Sequence, residues 1–305
     1  MITLHKVLLA ARDPKFVLLY LMNRGIFNWM DDAAFLKLKF RIMMKKPLDL
    51  ETPQTFNEKL QWLKLHDRRP LYTQLVDKYG VRSYIAETIG EAYLIPLVGG
   101  PWNSVDEIDF DALPEQFVLK CTHDSGGVVI CPDKGRLSVR GTREKLHSSL
   151  RRNYFWSGRE WPYRNVKPRI IAEKYMVDES GTELKDYKVF CFQGVPRTIQ
   201  VDFDRFHNHR RNLYSPEWKN LGYTSCYPTD PSVEIPKPVC LDKMLALAAE
   251  LSKGIPHLRT DFYVINSQIF FGELTLYHGS GLEIFDPPEW DRRLGDWIDL
   301  SSLRQ

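Results

Sequence analysis

The stretch Arg259–Gly281, RTDFYVINSQIFFGELTLYHGSG, decides how this chain of 305 residues is read. Two apolar segments, Asp261–Ile265 and Ile269–Thr275, flank Asn266-Ser267-Gln268, which predicts a β-hairpin with a three-residue turn. Opposed residues of an antiparallel hairpin have a constant index sum, so a turn centred on Ser267 sets Asp261 directly across from Glu273. Directly opposed side chains share a face, with Cβ atoms roughly 5 Å apart. Thr275, two residues beyond Glu273, points the same way. Two carboxylates held that close repel unless a cation lies between them. Hard oxygen donors at this separation suit Mg²⁺, usually held by one or two carboxylates plus substrate phosphates. The same pattern also describes an exposed strand face with two solvated acids.

Working outward, Gln116–Ile130, QFVLKCTHDSGGVVI, is an apolar strand ending in Lys120, a polar loop, and a second strand. Glycines in Thr122-His123-Asp124-Ser125-Gly126-Gly127 let backbone N–H groups approach an anion closely. An ordinary β-turn has the same composition, and the loop matches neither of the standard nucleotide-binding glycine motifs. Arg169–Met176, RIIAEKYM, reads as a strand broken by Glu173-Lys174. Asp186–Phe192, DYKVFCF, follows, with Gln193-Gly194 as a turn and Arg197–Val201 returning. Lys188 inside that apolar strand must meet an anion, either Asp186 on the same face or a bound phosphate.

In this order the segments resemble the ATP-grasp fold, an α+β architecture in which two subdomains grip ATP. The chain more closely resembles the TupA-like ATP-grasp family of bacterial surface-polysaccharide and teichuronopeptide biosynthesis. The resemblance is carried by FNEKLQWLKLHDRRPLYTQLVDKYGVRSY (56–84), FVLKCTHDSGG (117–127), SGREWPYRNVKPRIIAEKYM (157–176), LKDYKVFCFQGVP (184–196), DRFHNHRRN (204–212) and the closing hairpin with LYHGSGLEIF. It runs from about residue 50 to the last residue.

The resemblance implies roles position by position. Lys120 looks like the lysine on the nucleotide α-phosphate, and His123, Asp124, Ser125, Gly126 and Gly127 like the loop that closes over the phosphates. Glu173, Lys174, Tyr175 and Met176 look like the hinge whose backbone reads adenine, with an acid for the ribose. Asp186 and Lys188 are similar to the strand that faces the phosphates, and Asp261 and Glu273 to the Mg²⁺ carboxylates. Thr275 stands where the usual third metal ligand is Asn, and His278 where many relatives have Pro.

Composition fits a soluble enzyme: 43% hydrophobic residues, with 42 basic against 39 acidic side chains giving +3, too balanced to imply nucleic acid. Cys121, Cys131, Cys191, Cys226 and Cys240 are odd in number and lack CxxC spacing, which fits a reducing, cytoplasmic compartment rather than zinc or disulfides. Residues 1–46 hold nine Lys or Arg against three Asp, with apolar runs Val7–Ala11, Phe16–Met22 and Ile26–Met30. None reaches the roughly 18–20 apolar residues that span a bilayer. Basic amphipathic helices bearing Phe27 and Trp29 could lie on the inner face of an anionic membrane, or pack on the main domain or a second subunit.

The expected organisation is a basic helical segment (1–55), a region preceding the ATP-binding part (56–111), a small subdomain (112–175) and a large one with the metal site (176–305). Phe56, Leu60, Leu63 and Leu65 form an apolar helical stripe that Leu71, Leu75 and Val76 continue, and Leu241–Lys253 is an amphipathic helix. Arg205, His207, His209, Arg210 and Arg211 form a basic cluster suited to a phosphate or carboxylate. Arg152, Arg159 and Arg164, interleaved with Tyr154, Trp156, Trp161 and Tyr163, suit a sugar or uronic acid, or plain aromatic packing.

The expected activity is ATP- and Mg²⁺-dependent ligation of a carboxylate to an amine through an acylphosphate, with Lys188, Arg205, Arg210 and Arg211 stabilising phosphoryl charge. The partners would be small-molecule or glycan carboxylates and amines, such as a uronic acid and an amino acid. Two rivals stand beside it: a glycosyltransferase, for which Asp202-Phe203-Asp204 supplies a literal DxD, and a kinase on the same fold.

Overall fold

The computed structural model describes residues 14–178, 184–203 and 209–303. Two antiparallel sheets organise them. The smaller has the order β1-β4-β2-β3, formed by β1 (Leu97–Trp102), β2 (Phe117–Cys121), β3 (Val128–Cys131) and β4 (Ile170–Lys174). Strands β2 and β4 alternate cleanly. Phe117, Leu119, Ile170 and Ala172 turn to a core that helix α6 (Val139–Leu150) closes with Leu146. Val118, Lys120, Ile171 and Glu173 occupy the opposite face. Strand β1 belongs to the region read as preceding the ATP-binding part. Its Gly99-Gly100-Pro101 hides a strand pattern, and it lies at the sheet edge, where proline is tolerated.

The larger sheet has the order β10-β9-β5-β6-β7, from β5 (Asp186–Phe192), β6 (Val195–Phe203), β7 (Arg210–Tyr214), β9 (His257–Ile265) and β10 (Gln268–Thr275). One face is apolar. Tyr187, Val189, Cys191, Ile199, Val201, Leu258 and Phe262 join the largest core, which helix α8 (Leu241–Leu251) covers with Leu241, Met244, Ala248 and Leu251. The other face carries Asp186, Lys188, Gln200, Asp202, Arg211, Arg259, Asp261 and Glu273, an arrangement fixed by strand register.

Helix α3 (Phe56–His66) starts at a capping box in which Thr55 and Glu58 satisfy each other's backbone N–H groups. Its apolar stripe Phe56, Leu60 and Leu63 enters the large core, and α4 (Pro70–Val76) adds Leu75 and Val76. Leu71 is instead exposed and Tyr72 takes the buried place, its hydroxyl donating to Asp67 at 2.6 Å. A second, polar stripe on α3 is also buried: Asn57, Gln61 and Lys64, spaced i, i+4, i+7. Asn57 binds the Glu283 carbonyl at 2.9 Å and receives the Glu283 N–H at 3.1 Å. Gln61 donates to the Ser280 and Gly281 carbonyls, and Lys64 to the Ser280 and Gly158 carbonyls, all within 2.7–2.9 Å. This stripe holds the loop after β10 in place.

Helices α1 (Pro14–Asn23) and α2 (Asp32–Met44) share a small core of Met22, Phe35, Leu36, Phe40 and Leu48, against which Leu65 and Leu282 of the body pack. The run Ile26–Met30 is a turn region rather than a helix. Arg159 is nearly inaccessible; it donates to the Phe27 and Met30 carbonyls at 3.0 and 3.2 Å and lies over the Phe35 and Trp156 rings. That arginine ties the N-terminal segment to the body and is closed to a sugar. Trp29 remains 79% exposed. The run Val7–Ala11 lies outside the described residues. Among the described residues, no helix is long and apolar enough to cross a membrane.

Candidate active site

The carboxylate pair forms by a route different from the one expected. Asn266 and Ser267 alone make the turn, both left-handed with φ of 49° and 62°, and Gln268 already pairs with Ile265. That register runs to Phe271 opposite Phe262 and, continued, would set Gly272 across from Asp261. A bulge at this point places Glu273 there instead. Glycine is needed at 272 because a Cβ would lie 3.0 Å from the Asp261 carbonyl oxygen and 3.1 Å from the Tyr263 ring. Thr275 stands opposite Arg259 on the same strand pair.

The cation between the two acids is Arg259. Its Nε meets Asp261 Oδ1 at 2.7 Å, and one Nη atom reaches both Asp261 Oδ2 at 2.8 Å and Glu273 Oε1 at 2.9 Å. Lys188, opposite Asp261 on β5, donates to Asp261 Oδ2 at 2.8 Å and pairs with Asp186. Burial opposes the charge on both cations, but the neighbouring carboxylates outweigh it and raise both pKa values. Burial likewise works against ionised Glu273, and Arg259, Lys78 and Lys188 overcome it, lowering its pKa. The Glu273 side chain is nevertheless 46% accessible, whereas Asp261 is sealed in the sheet. The pair therefore presents one fixed and one open carboxylate.

From Arg259 a belt of hydrogen bonds crosses the sheet face. Arg259 donates to His278 Nδ1 at 2.8 Å; since a guanidinium has no lone pair to offer, Nδ1 must be the acceptor. The His278 proton therefore sits on Nε2 and is donated to Glu283 Oε2 at 3.0 Å. Burial lowers the His278 pKa, which agrees with this neutral tautomer. Ser225 donates to the same Glu283 oxygen at 2.5 Å, and Arg211 donates to the Ser225 carbonyl at 2.9 Å and to Asp202 Oδ1 at 2.8 Å. Gln200 binds Asp202 Oδ2 at 2.9 Å, and His209 lies 3.2 Å from Oδ1. Burial would raise the Asp202 pKa, but Arg211 and Gln200 bring it down to about 2.

The basic cluster divides by strand alternation. Arg211 faces this belt, while Arg210 turns away and pairs with Asp230. Arg205 and His207 lie outside the described residues, as does Asp204 of the DxD.

On the small sheet, Lys120 forms an ion pair with Glu173 at 2.5 Å, and Arg82 lies 3.7 Å from the other Glu173 oxygen. Lys174 is exposed at the end of β4; Tyr175 and Met176 continue as partly exposed coil leading to the second sheet. In the glycine loop His123 and Asp124 are buried. His123 meets the Ser149 carbonyl at 3.2 Å, and Asp124 accepts from Ser149 and from the Gly127 N–H. Ser125 and Gly126 form the exposed tip.

Arg259 and Lys78, like the belt residues Gln200, Ser225 and Glu283, are not among the candidates read from the sequence. The Lys78 N–H donates to the Thr122 carbonyl at 3.0 Å, and its ammonium binds the Asp124 carbonyl. With Tyr163, Gly272 and Glu273 it lines one small cavity, so it joins the base of the glycine loop to the hairpin. Arg259 had a usable signal, its place two residues before Asp261 on the same strand face. Lys78 had none, because it stands in a loop far from its partners in sequence.

Among solved structures, the chain is similar to D-alanine–D-alanine ligase from Bacillus anthracis, with 16% identity over 82% of this chain and 71% of that one and a TM-score of 0.40. It is also similar to L-amino acid ligase from Bacillus licheniformis, with 15% identity over 83% and 57% of the two chains and a TM-score of 0.46. No curated protein matches. The TupA-like ATPgrasp family matches residues 58–299, a span that contains both sheets, the glycine loop and the hairpin carboxylates, and the chain belongs to that family.

Proposed function

We propose that this protein is an ATP-dependent carboxylate–amine ligase of surface-polysaccharide biosynthesis, joining an amine or amino acid to a uronic acid or similar carboxylate. The observation that supports this reading is the Asp261–Glu273 pair, held by Arg259 and Lys188 on a buried sheet face that opens at Glu273, where Lys78 links it to the glycine loop. The residues fit a magnesium–nucleotide. Glu273 offers accessible hard oxygen next to fixed Asp261, and Mg²⁺ needs only one or two carboxylates beside phosphate oxygens. When bound, the metal would supply charge neutralisation at the phosphates.

The chain's own residues would then act by position and charge. Arg259 and Lys188, the buried cations of this face, stabilise charge on the phosphoryl oxygens as the substrate carboxylate oxygen attacks the γ-phosphorus and ADP leaves. Lys120 and the exposed Ser125-Gly126 tip would contact the nucleotide phosphates, as the family resemblance implies. An amine nitrogen then attacks the acyl carbon, the C–O bond to phosphate breaks, and the nitrogen loses a proton as amide and phosphate form. No side-chain nucleophile takes part.

The test is trapping. ATP hydrolysis should be slow alone and rise only with the correct carboxylate, and hydroxylamine should then yield a hydroxamate without the natural amine. A screen of uronic acids, amino acids and their nucleotide- or lipid-linked forms uses that product as its readout. ATP-independent sugar transfer from a nucleotide donor, with no hydroxamate from any acid, would replace the ligase by a glycosyltransferase. A stable phosphorylated product in place of a hydroxamate would make it a kinase.

A further inference from the structure

Beyond the hairpin, an open cleft of about 480 Å³ lies against Met43 of α2, the segment 224–228 and the segment 282–286. This volume is within the usual range for small-molecule sites. Its walls are mainly apolar: Met43, Tyr227, Pro228, Leu282 and Ile284, with Ile284 66% exposed. Among the described residues, the charged ones that line it are both acids, Glu283 and Asp286. Glu283 is largely buried, and its two side-chain hydrogen bonds, from His278 and Ser225, both fall on Oε2. Among the described residues Oε1 receives none. Glu283 stays ionised: burial would raise its pKa, and His278, Ser225 and Arg211 hold it well below the carboxylate range. Arg211 lies behind the wall formed by Ser225 and Tyr227, where it pairs with Asp202.

An apolar cleft lined by these two acids repels a carboxylate and favours a cation with a hydrophobic body. It also communicates with the carboxylate pair. Glu283, His278 and Arg259 are joined by hydrogen bonds of 3.0 and 2.8 Å, and Arg259 grips both Asp261 and Glu273. We infer that this cleft binds the amine co-substrate, and that this amine carries an alkyl or aryl body beside its cationic nitrogen. The co-substrate role rests on the ligase reading; the binding chemistry does not.

Cys226 supplies the test, because it lines the cleft and is exposed, while Cys240 is partly accessible elsewhere. The full chain is alkylated with iodoacetamide in the absence of ATP, and modification of each cysteine is followed by peptide mass spectrometry. Saturating phenethylamine should slow Cys226 alkylation roughly tenfold, the effect of filling about nine sites in ten. Cys240 should be unaffected and so report any loss of reagent. Phenylpropionate, which swaps the ammonium for a carboxylate, should give no protection, and ammonium chloride little. Glu283→Gln should lose the protection. Ile284→Trp, at a position 66% exposed, should lose it by filling the cleft. Equal protection by phenylpropionate, or none by phenethylamine, overturns the inference. Hydroxamate formation without cleft protection would keep the ligase and discard this site. Protection without a hydroxamate from any acid would overturn the co-substrate role and leave an amine site.

Discussion

Arg259 is the residue on which the two hairpin carboxylates depend, because its planar fork reaches both at once. Lysine keeps the charge but cannot hold both acids in this way. Arg259→Lys should therefore lower ATP turnover by about 10²-fold, on the scale of losing one preorganised donor to transition-state charge. Asp261→Asn and Glu273→Gln should each reduce turnover at least as much with little change in volume; rates within twofold of the parent would remove the hairpin from the phosphate chemistry. Asp202 gives a separate, pH-dependent expectation. Its folded pKa of about 2 lies below the ordinary 3.8, so the stability it adds is full above the unfolded value and is lost as pH falls from 3.8 through about 2. The amount is about 2 kcal/mol. Urea unfolding across that interval should show a steeper acid loss for the parent than for Asp202→Asn, and parallel curves would contradict the assignment. The opposition of Asp261 and Glu273 was legible because hairpin arithmetic is local. The identity of the intervening cation was not, since the charge balance of a buried face includes every strand that crosses it.

At the scale of elements, the bulge and the α3 polar stripe are the features that place the site. A side chain at 272 would press on the Asp261 backbone, so Gly272→Val should cost on the order of 1–3 kcal/mol and displace Glu273. Thermal unfolding and ATP turnover should fall together. An unchanged melting temperature would mean that the two strands part easily here. The central strands and helix α8 could be read from alternation and helical periodicity. The turn length could not, because a two-residue turn with a bulge and a three-residue turn give the same final pairing. Strand β1 was hidden by its glycines and proline. The stripe Asn57, Gln61 and Lys64 was missed because attention to apolar spacing passes over buried polar residues whose partners are more than 90 residues away.

For the whole molecule, the N-terminal segment is a structural part of the body. Removing residues 1–46 would take away the core of Phe35, Leu36 and Phe40, uncover Leu48, Leu65 and Leu282 that pack on it, and strip Arg159 of its carbonyl acceptors. The truncated chain should lose several kcal/mol, about the cost of deleting more than one large core side chain, and melt well below the parent. Equal melting temperatures in a scanning-calorimetry comparison would show that this segment is only draped on the surface. Its basic, apolar character was plain in the sequence, but composition alone could not tell a membrane face from a packed one. Met43 belongs to this segment, which precedes the family-matched span beginning at residue 58, and yet it forms one wall of the cleft. The hairpin carboxylates and this one wall of the cleft thus stand on opposite sides of the start of that span, while the rest of the cleft lies within it. A change at Met43 can therefore reshape the mouth of the cleft without touching the strands that hold Asp261 and Glu273.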